Sequence, residues 1–224
     1  RTLCETYHVE ISTFWCGWSG PGVWDFAEGP LTLGLVPPEY RFARMEELKR
    51  GSDFAKRLGT GNIATHVGFL PEVSGSGEYR SVVAALKHVA HYVKANGQYF
   101  LFETGQETPV TLLRTIEDIG TDNLGINLDP ANLILYGKAN PVDALDVFGK
   151  YVRDVHAKDG LYPTDGKHLG RETPLGKGKV DFPRLIAKLR EVGYDGSLTI
   201  EREISGEQQL KDILRGKALL EELI

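Results

Sequence analysis

Four residues of this chain end short apolar runs and carry groups that do chemistry: Glu103 after YFLF, Asp129 after LGINL, His156 after VRDV and Glu201 after SLTI. Three carboxylates and one imidazole make a set of hard oxygen donors with a single nitrogen. Such a set suits one divalent metal ion, Mn²⁺ foremost, with Mg²⁺, Co²⁺ or Zn²⁺ also acceptable. Taken singly each residue is a weak signal, because a strand-end carboxylate can serve an ion pair and a lone histidine is more often a satisfied core residue. Taken together, one per strand, they are harder to assign to structure alone. Three carboxylates buried within reach of one another are very costly without a cation.

These groups need strands that end side by side. In FETGQETP and its flanks, Tyr99 to Phe102 read as a buried strand that stops at Glu103, turns through Gly105 and starts a helix capped by Thr108 with Pro109 first. Further strands are expected at His8–Trp15, Asn62–Gly68, Leu124–Pro130, Val152–Gly160 with its loop, and Ser197–Glu203. Helical periodicity is expected over Phe42–Leu58, Glu78–Asn96, Pro141–Tyr151 and Phe182–Val192, with Ser205 capping a last helix to Leu223 and Arg1–Tyr7 reading as a helix end. The strand-then-helix rhythm predicts a parallel sheet.

Alternation along the strands sets Glu201 with Thr199 and Glu203, His156 with Asp154 and Lys158, and Asp129 with Asn127, all opposite apolar neighbours. A polar inner face and an apolar helix face fit a closed barrel better than an open sheet. The expectation is therefore an α/β fold of TIM-barrel type, (β/α)₈, of which about six βα units are visible. A complete barrel of this kind has roughly 250 residues. One domain over residues 1–224, lacking the first two units, is expected; either the sequence is truncated or the gap is filled by another chain or by rearrangement, and a second subunit covering it gives the expectation of a homo-oligomer.

The stretch Cys16–Tyr40 is long for a loop, and Trp15, Trp18 and Trp24 cluster at its start. It reads either as a wall over a pocket or as a loop packed down by its own aromatics. The net charge of −5, from 26 basic and 31 acidic residues, offers no nucleic-acid footprint. No apolar run reaches membrane-spanning length, so no membrane partner is expected. Cys4 and Cys16 alone cannot build a disulfide framework, and a cytoplasmic location is the default expectation.

The motifs LFETGQETP, NLDPANL, VHAKDG, PLGKGKVDF and YDGSLTIERE, in that order, resemble the xylose isomerase-like barrels that include sugar phosphate isomerases and epimerases. The resemblance covers Gly59 to the end. It implies that Glu103, Asp129, His156 and Glu201 ligate one metal at the carboxyl mouth of the barrel, and that Glu103 and Glu201 double as acid/base residues. It further implies isomerase or epimerase activity on a ketose or keto-cyclitol, by proton abstraction through a cis-enediolate. Substrate contacts are expected from His66, Glu107, Asn132, Lys158, Trp15 and Trp18. Asn132 stands where several relatives carry histidine, so their hydrogen-bond scheme does not transfer intact.

Phosphate recognition is not evident. Ser205-Gly206 and the Gly176–Gly178 turn could bind an anion, but capping and turn formation explain them, so an unphosphorylated sugar or cyclitol is at least as well supported. Competing readings are a lyase or dehydratase on a keto-sugar or inosose, an apurinic endonuclease, and a non-catalytic assembly subunit. The nuclease reading needs extra histidines for a zinc cluster. Here it finds Asn132 after Asp129, and further on only Asp165 and His168.

Overall fold

The computed structural model describes residues 2–224. Its elements are α1 (Thr2–Thr6), β1 (Phe14–Trp15), α2 (Gly29–Thr32), α3 (Pro38–Leu58), β2 (Asn62–Thr65), α4 (Gly77–Ala95), β3 (Tyr99–Glu103), α5 (Pro109–Ile119) and β4 (Leu124–Leu128). There follow α6 (Pro130–Leu135), α7 (Pro141–Phe148), β5 (Val152–Ala157), β6 (Asp159–Leu161), β7 (Arg171–Thr173), α8 (Phe182–Glu191), β8 (Leu198–Ile200) and α9 (Glu207–Glu221). Six strands form one all-parallel sheet in the order β1-β2-β3-β4-β5-β8, with helices between successive strands. This is a curled half-barrel of the TIM-barrel type, with β1 and β8 at its two edges.

Helix boundaries follow the chemistry of the sequence. Thr108 accepts from Thr111 N–H at the start of α5, Asp181 caps α8 and Asn140 caps α7, each followed within two residues by a proline that needs no partner for a missing N–H. The apolar outer faces of the strands, Phe100, Phe102, Ile126, Leu128 and Val155, are buried against Leu86, Val89, Leu112 and Phe148 of the helices. A register shift between Ile126 and Asn127 leaves Arg153 as an extra residue in β5, since Ile126 pairs with Val152 and Asn127 with Asp154. That bulge brings Asp154 and His156 onto the same inner side as Asn127.

Several expected boundaries are corrected. The expected strand His8–Trp15 is reduced to Phe14–Trp15: His8 has φ 53°, which breaks the extended run, and Ser12 is held by side-chain bonds to Asn62 and Asp154 rather than by a ladder. Ser205 does not cap the last helix; Gly206 does, without a side-chain bond. The last turn of the expected helix Pro141–Tyr151 is a 3₁₀ turn, Gly149–Tyr151. The stretch after Gly160 is not only loop, because β6 and β7 form an antiparallel hairpin there. Arg1 lies outside the described residues. No helix among the described residues is long and apolar enough to cross a membrane.

Gly34 and Gly59 show two different uses of the left-handed region. Both have positive φ, 68° and 84°, but a Cβ on Gly34 would sit 2.1 Å from the Val67 carbonyl carbon, whereas none would be met at Gly59. Gly59→Ala is expected to cost about 1 kcal/mol, and Gly34→Ala more than about 2 kcal/mol, because backbone cannot yield as a side chain does. Urea denaturation of both variants checks the order; equal losses would refute it.

Candidate metal centre and substrate cavity

The parallel register brings four strand ends to one mouth. Glu103 is the last residue of β3, Asp129 follows β4, His156 lies in β5 and Glu201 follows β8, its N–H bonded to the Ala157 carbonyl. One donor atom from each lies within 4.8 Å of the others. Each is held by what surrounds it. Asp129 starts α6: its Oδ1 accepts from Asn132 N–H at 2.9 Å, while Thr104 Oγ1 is 2.8 Å from both the Asp129 N–H and its carbonyl. Glu103 Oε2 accepts from the Trp15 indole N–H. Asn127 Nδ2 lies 3.1 Å from His156 Nε2, so the ring is oriented with Nδ1 toward the carboxylates.

The donor set fits a divalent cation. His156 Nδ1 is 3.2 Å from Glu103 Oε1 and 3.2 Å from Glu201 Oε2, yet His156 Nδ1, Glu201 Oε2 and Asp129 Oδ2 have no hydrogen-bond partner of proper geometry. The four donor atoms lie close enough together to share one cation. At an effective dielectric of about 20, each pair of carboxylates at such separations repels by about 3–4 kcal/mol, which a central positive charge removes. An amide can present either end, and the Asn127 oxygen, itself without a partner, is suited to accept from Nε2–H and leave the Nδ1 lone pair for a cation.

The titration of the cluster follows from the same crowding. Burial works against charge on His156, but its contacts with Glu103 and Glu201 push it up to about 11. Burial raises Glu201 too, yet His156 and Lys158 bring it down to about 2. Glu103 is likewise held below the usual carboxylate range, burial being outweighed by His66 and His156. Asp129 goes the other way, pushed by burial up to about 7 against the pull of Lys158. Burial lowers His66, which favours neutral imidazole.

Beside the cluster lies a cavity of about 610 Å³. Of the expected substrate contacts, Trp15, His66, Asn132 and Lys158 line it. Trp18 does not; it sits between Trp15 and Trp24, with ring centroids 6.3 Å from each. Glu107 is not on the cavity wall either, but buried behind it with both carboxylate oxygens unpartnered. Trp24, Tyr136 and Glu203, which were not among the expected substrate contacts, also line the cavity. Trp24 had a signal in the tryptophan cluster and Glu203 in its place two residues beyond Glu201 on one strand face; Tyr136 had none. His168 and Asp165 pair with each other at the surface, away from the four-residue cluster, so they extend no zinc site.

Glu107 supplies a pH test. Its burial pushes the carboxyl up to about 8, above the roughly 4.3 of an unfolded chain. The folded state therefore binds the proton more tightly, and this stabilising contribution, complete at acid pH, is lost as pH rises toward 8. The stability of Glu107→Gln relative to the native protein should rise by about 1.4 kcal/mol per pH unit between roughly pH 6 and 8. Urea unfolding across that window checks it, and a pH-independent difference would contradict it.

Comparison with known proteins agrees with this architecture. A xylose isomerase domain protein from Planctomyces limnophilus shares 39% identity and a TM-score of 0.92, over 99% of this chain and 79% of that one. A D-tagatose 3-epimerase-like protein shares 25% identity with a TM-score of 0.74, again over 99% and 79%. L-ribulose 3-epimerase of Mesorhizobium japonicum is 28% identical over 156 residues, 66% of this chain and 49% of that enzyme. The match thus spans about half the length of that curated relative. Residues 1–223 match the family described as xylose isomerase-like TIM barrel, and the chain belongs to that family.

Proposed function

We propose that this chain forms the catalytic part of a divalent-metal-dependent sugar isomerase or epimerase acting on a ketose or keto-cyclitol. The observation that carries the reading is the convergence of four donor atoms within 4.8 Å at the rim of a cavity walled by Trp15 and Trp24. Likeness to sugar epimerases supports it. Glu103, Asp129, His156 and Glu201 would hold the cation, with Mn²⁺ or Mg²⁺ suited to their oxygen-rich set. When bound, that ion supplies Lewis-acid polarisation of a carbonyl and its neighbouring hydroxyl.

The remaining chemistry belongs to the chain. Glu103 and Glu201 are both ionised at neutral pH and project from β3 and the end of β8, with β4 and β5 between them. One takes the proton alpha to the carbonyl, and the other returns a proton on the opposite face or at the adjacent carbon. Lys158, whose ammonium form is favoured by Asp129 and Glu201 despite burial, donates to substrate oxygen. His66 Nδ1 has no partner in the protein and offers a second polar contact. Trp15 and Trp24 pack on the C–H face of the substrate and keep water from the enediolate.

Solvent deuterium exchange into a panel of ketoses and keto-cyclitols, followed by NMR with added Mn²⁺, tests the proposal. Exchange should require the cation and fall by about 10²–10⁴-fold in Glu201→Gln. Elimination of water or another substituent in place of isomer formation would reassign the site to a lyase. Absence of both cation binding and exchange would remove the catalytic reading.

A further inference from the structure

The charge of the cavity narrows the substrate class, an argument that rests on the isomerase or epimerase reading. We infer that Glu203 is a specificity-determining residue that occupies the cavity's ammonium group and reserves the site for an uncharged ketose or keto-cyclitol over its phosphate ester. Among the described residues lining the cavity, Lys158 is the sole lysine or arginine. Its Nζ lies 3.1 Å from Glu203 Oε2, 3.3 Å from Glu201 Oε2, and 3.5 Å from both Asp129 Oδ2 and Asn132 Oδ1. An ammonium has three protons to donate. Of the four, Glu203 lies nearest, so a phosphate must displace that carboxylate to take one of those protons, whereas a neutral hydroxyl can join without displacing it.

The arrangement meets an incoming ligand with the wrong sign for an anion. The Glu203 side chain is 58% exposed and that of Lys158 only 3%, so the carboxylate is the group a ligand reaches first. Glu103, Asp129, Glu201 and Glu203 carry four negative charges when ionised; Lys158 and one divalent cation return three. A dianionic phosphate would add to the excess.

Glu203 is also held in place. Its N–H lies 3.0 and 3.2 Å from the two Glu172 carboxylate oxygens, Glu172 pairs with Arg202 at 2.8 Å, and Arg202 reaches Asp212 of α9 at 2.9 Å.

Backbone sites suited to a phosphate are either in use or faced by a carboxylate. Thr108 caps α5 and Asp129 caps α6. In the glycine-rich turn, Gly178 N–H and Val180 N–H both bond the buried Asp159 carboxylate. The start of α9 lacks a side-chain cap, but its first turn carries Glu207.

The tryptophans of the wall make binding visible. D-fructose, D-tagatose and L-ribulose, each beside its own terminal phosphate, would be titrated into the Mn²⁺-loaded protein while tryptophan fluorescence is followed, with deuterium exchange scored in parallel. At least one free ketose is expected to bind ten times or more tighter than its phosphate. Glu203→Lys should reverse that preference and Glu203→Gln should reduce it. A phosphate bound as tightly as its free ketose, or a preference unchanged in Glu203→Lys, overturns the inference; if exchange occurs in that phosphate, the isomerase or epimerase reading survives. Binding and exchange with none of the six overturns both.

Discussion

The mutual repulsion of three carboxylates gathered around one imidazole is the constraint to which the rest of the site answers. Glu103, Asp129 and Glu201 present oxygens within 4.8 Å of one another and of His156, the first two fully buried and Glu201 half-buried. Left alone, such groups would turn outward or take up protons. Here the register of a parallel sheet fixes where their backbones end, and local bonds fix the side chains: Thr104 and Asn132 N–H on Asp129, the Trp15 indole on Glu103, Asn127 on His156. The cluster is thus organised in advance for a positive charge at its centre, and the raised titration of His156 and the lowered titration of Glu201 are two expressions of that one field.

Two arginines keep the walls of the cavity in place, and neither touches it. Arg44 of α3 is buried and donates to the carbonyls of Pro21, Thr32 and Gly34, with Ser19 at 3.4 Å, while its guanidinium lies 5.1 Å from the Trp18 ring centroid. It closes the long loop that carries Trp18 and Trp24, something the planar fork of arginine does better than a lysine point charge. Arg202 performs the corresponding task on the other side, joining the exit of β8 to Glu172 of β7 and Asp212 of α9. Alternation along the strand separates it from Glu201 and Glu203, so one short segment both faces the cavity and is anchored behind it.

The strand-end cluster was legible in the sequence because period-two alternation and strand–helix rhythm are local properties, and a polar residue closing an apolar run stands out wherever it falls. The aromatic wall was legible only in part. Trp24 reaches the cavity because of how Arg44 folds the loop, and that depends on carbonyls whose positions no side-chain pattern records. Tyr136 lies at the end of α6, a helix of six residues too short to leave a periodic signature. The β6–β7 hairpin was hidden for a similar reason: three-residue strands set among glycines look like loop, and Asp159, the buried carboxylate that holds the Gly178 turn against it, reads in sequence as an ordinary turn acid.

Glu103 and Glu107 show how far residue type alone can mislead at such a site. They are four residues apart, both about 2% exposed and chemically identical. Glu103 faces His66 at 3.6 Å and His156 at 3.2 Å and accepts from an indole N–H, and the imidazoles outweigh the cost of burial. Glu107 faces no imidazole, and burial, only partly offset by nearby backbone N–H groups and Lys138, carries its carboxyl up to about 8. One is suited to serve as a base and ligand, the other to stay protonated behind the wall. The turn through Gly105 makes the difference: it ends the strand with Glu103 turned into the mouth and sends the chain back toward α5, so that two glutamates in one motif meet opposite electrostatic surroundings.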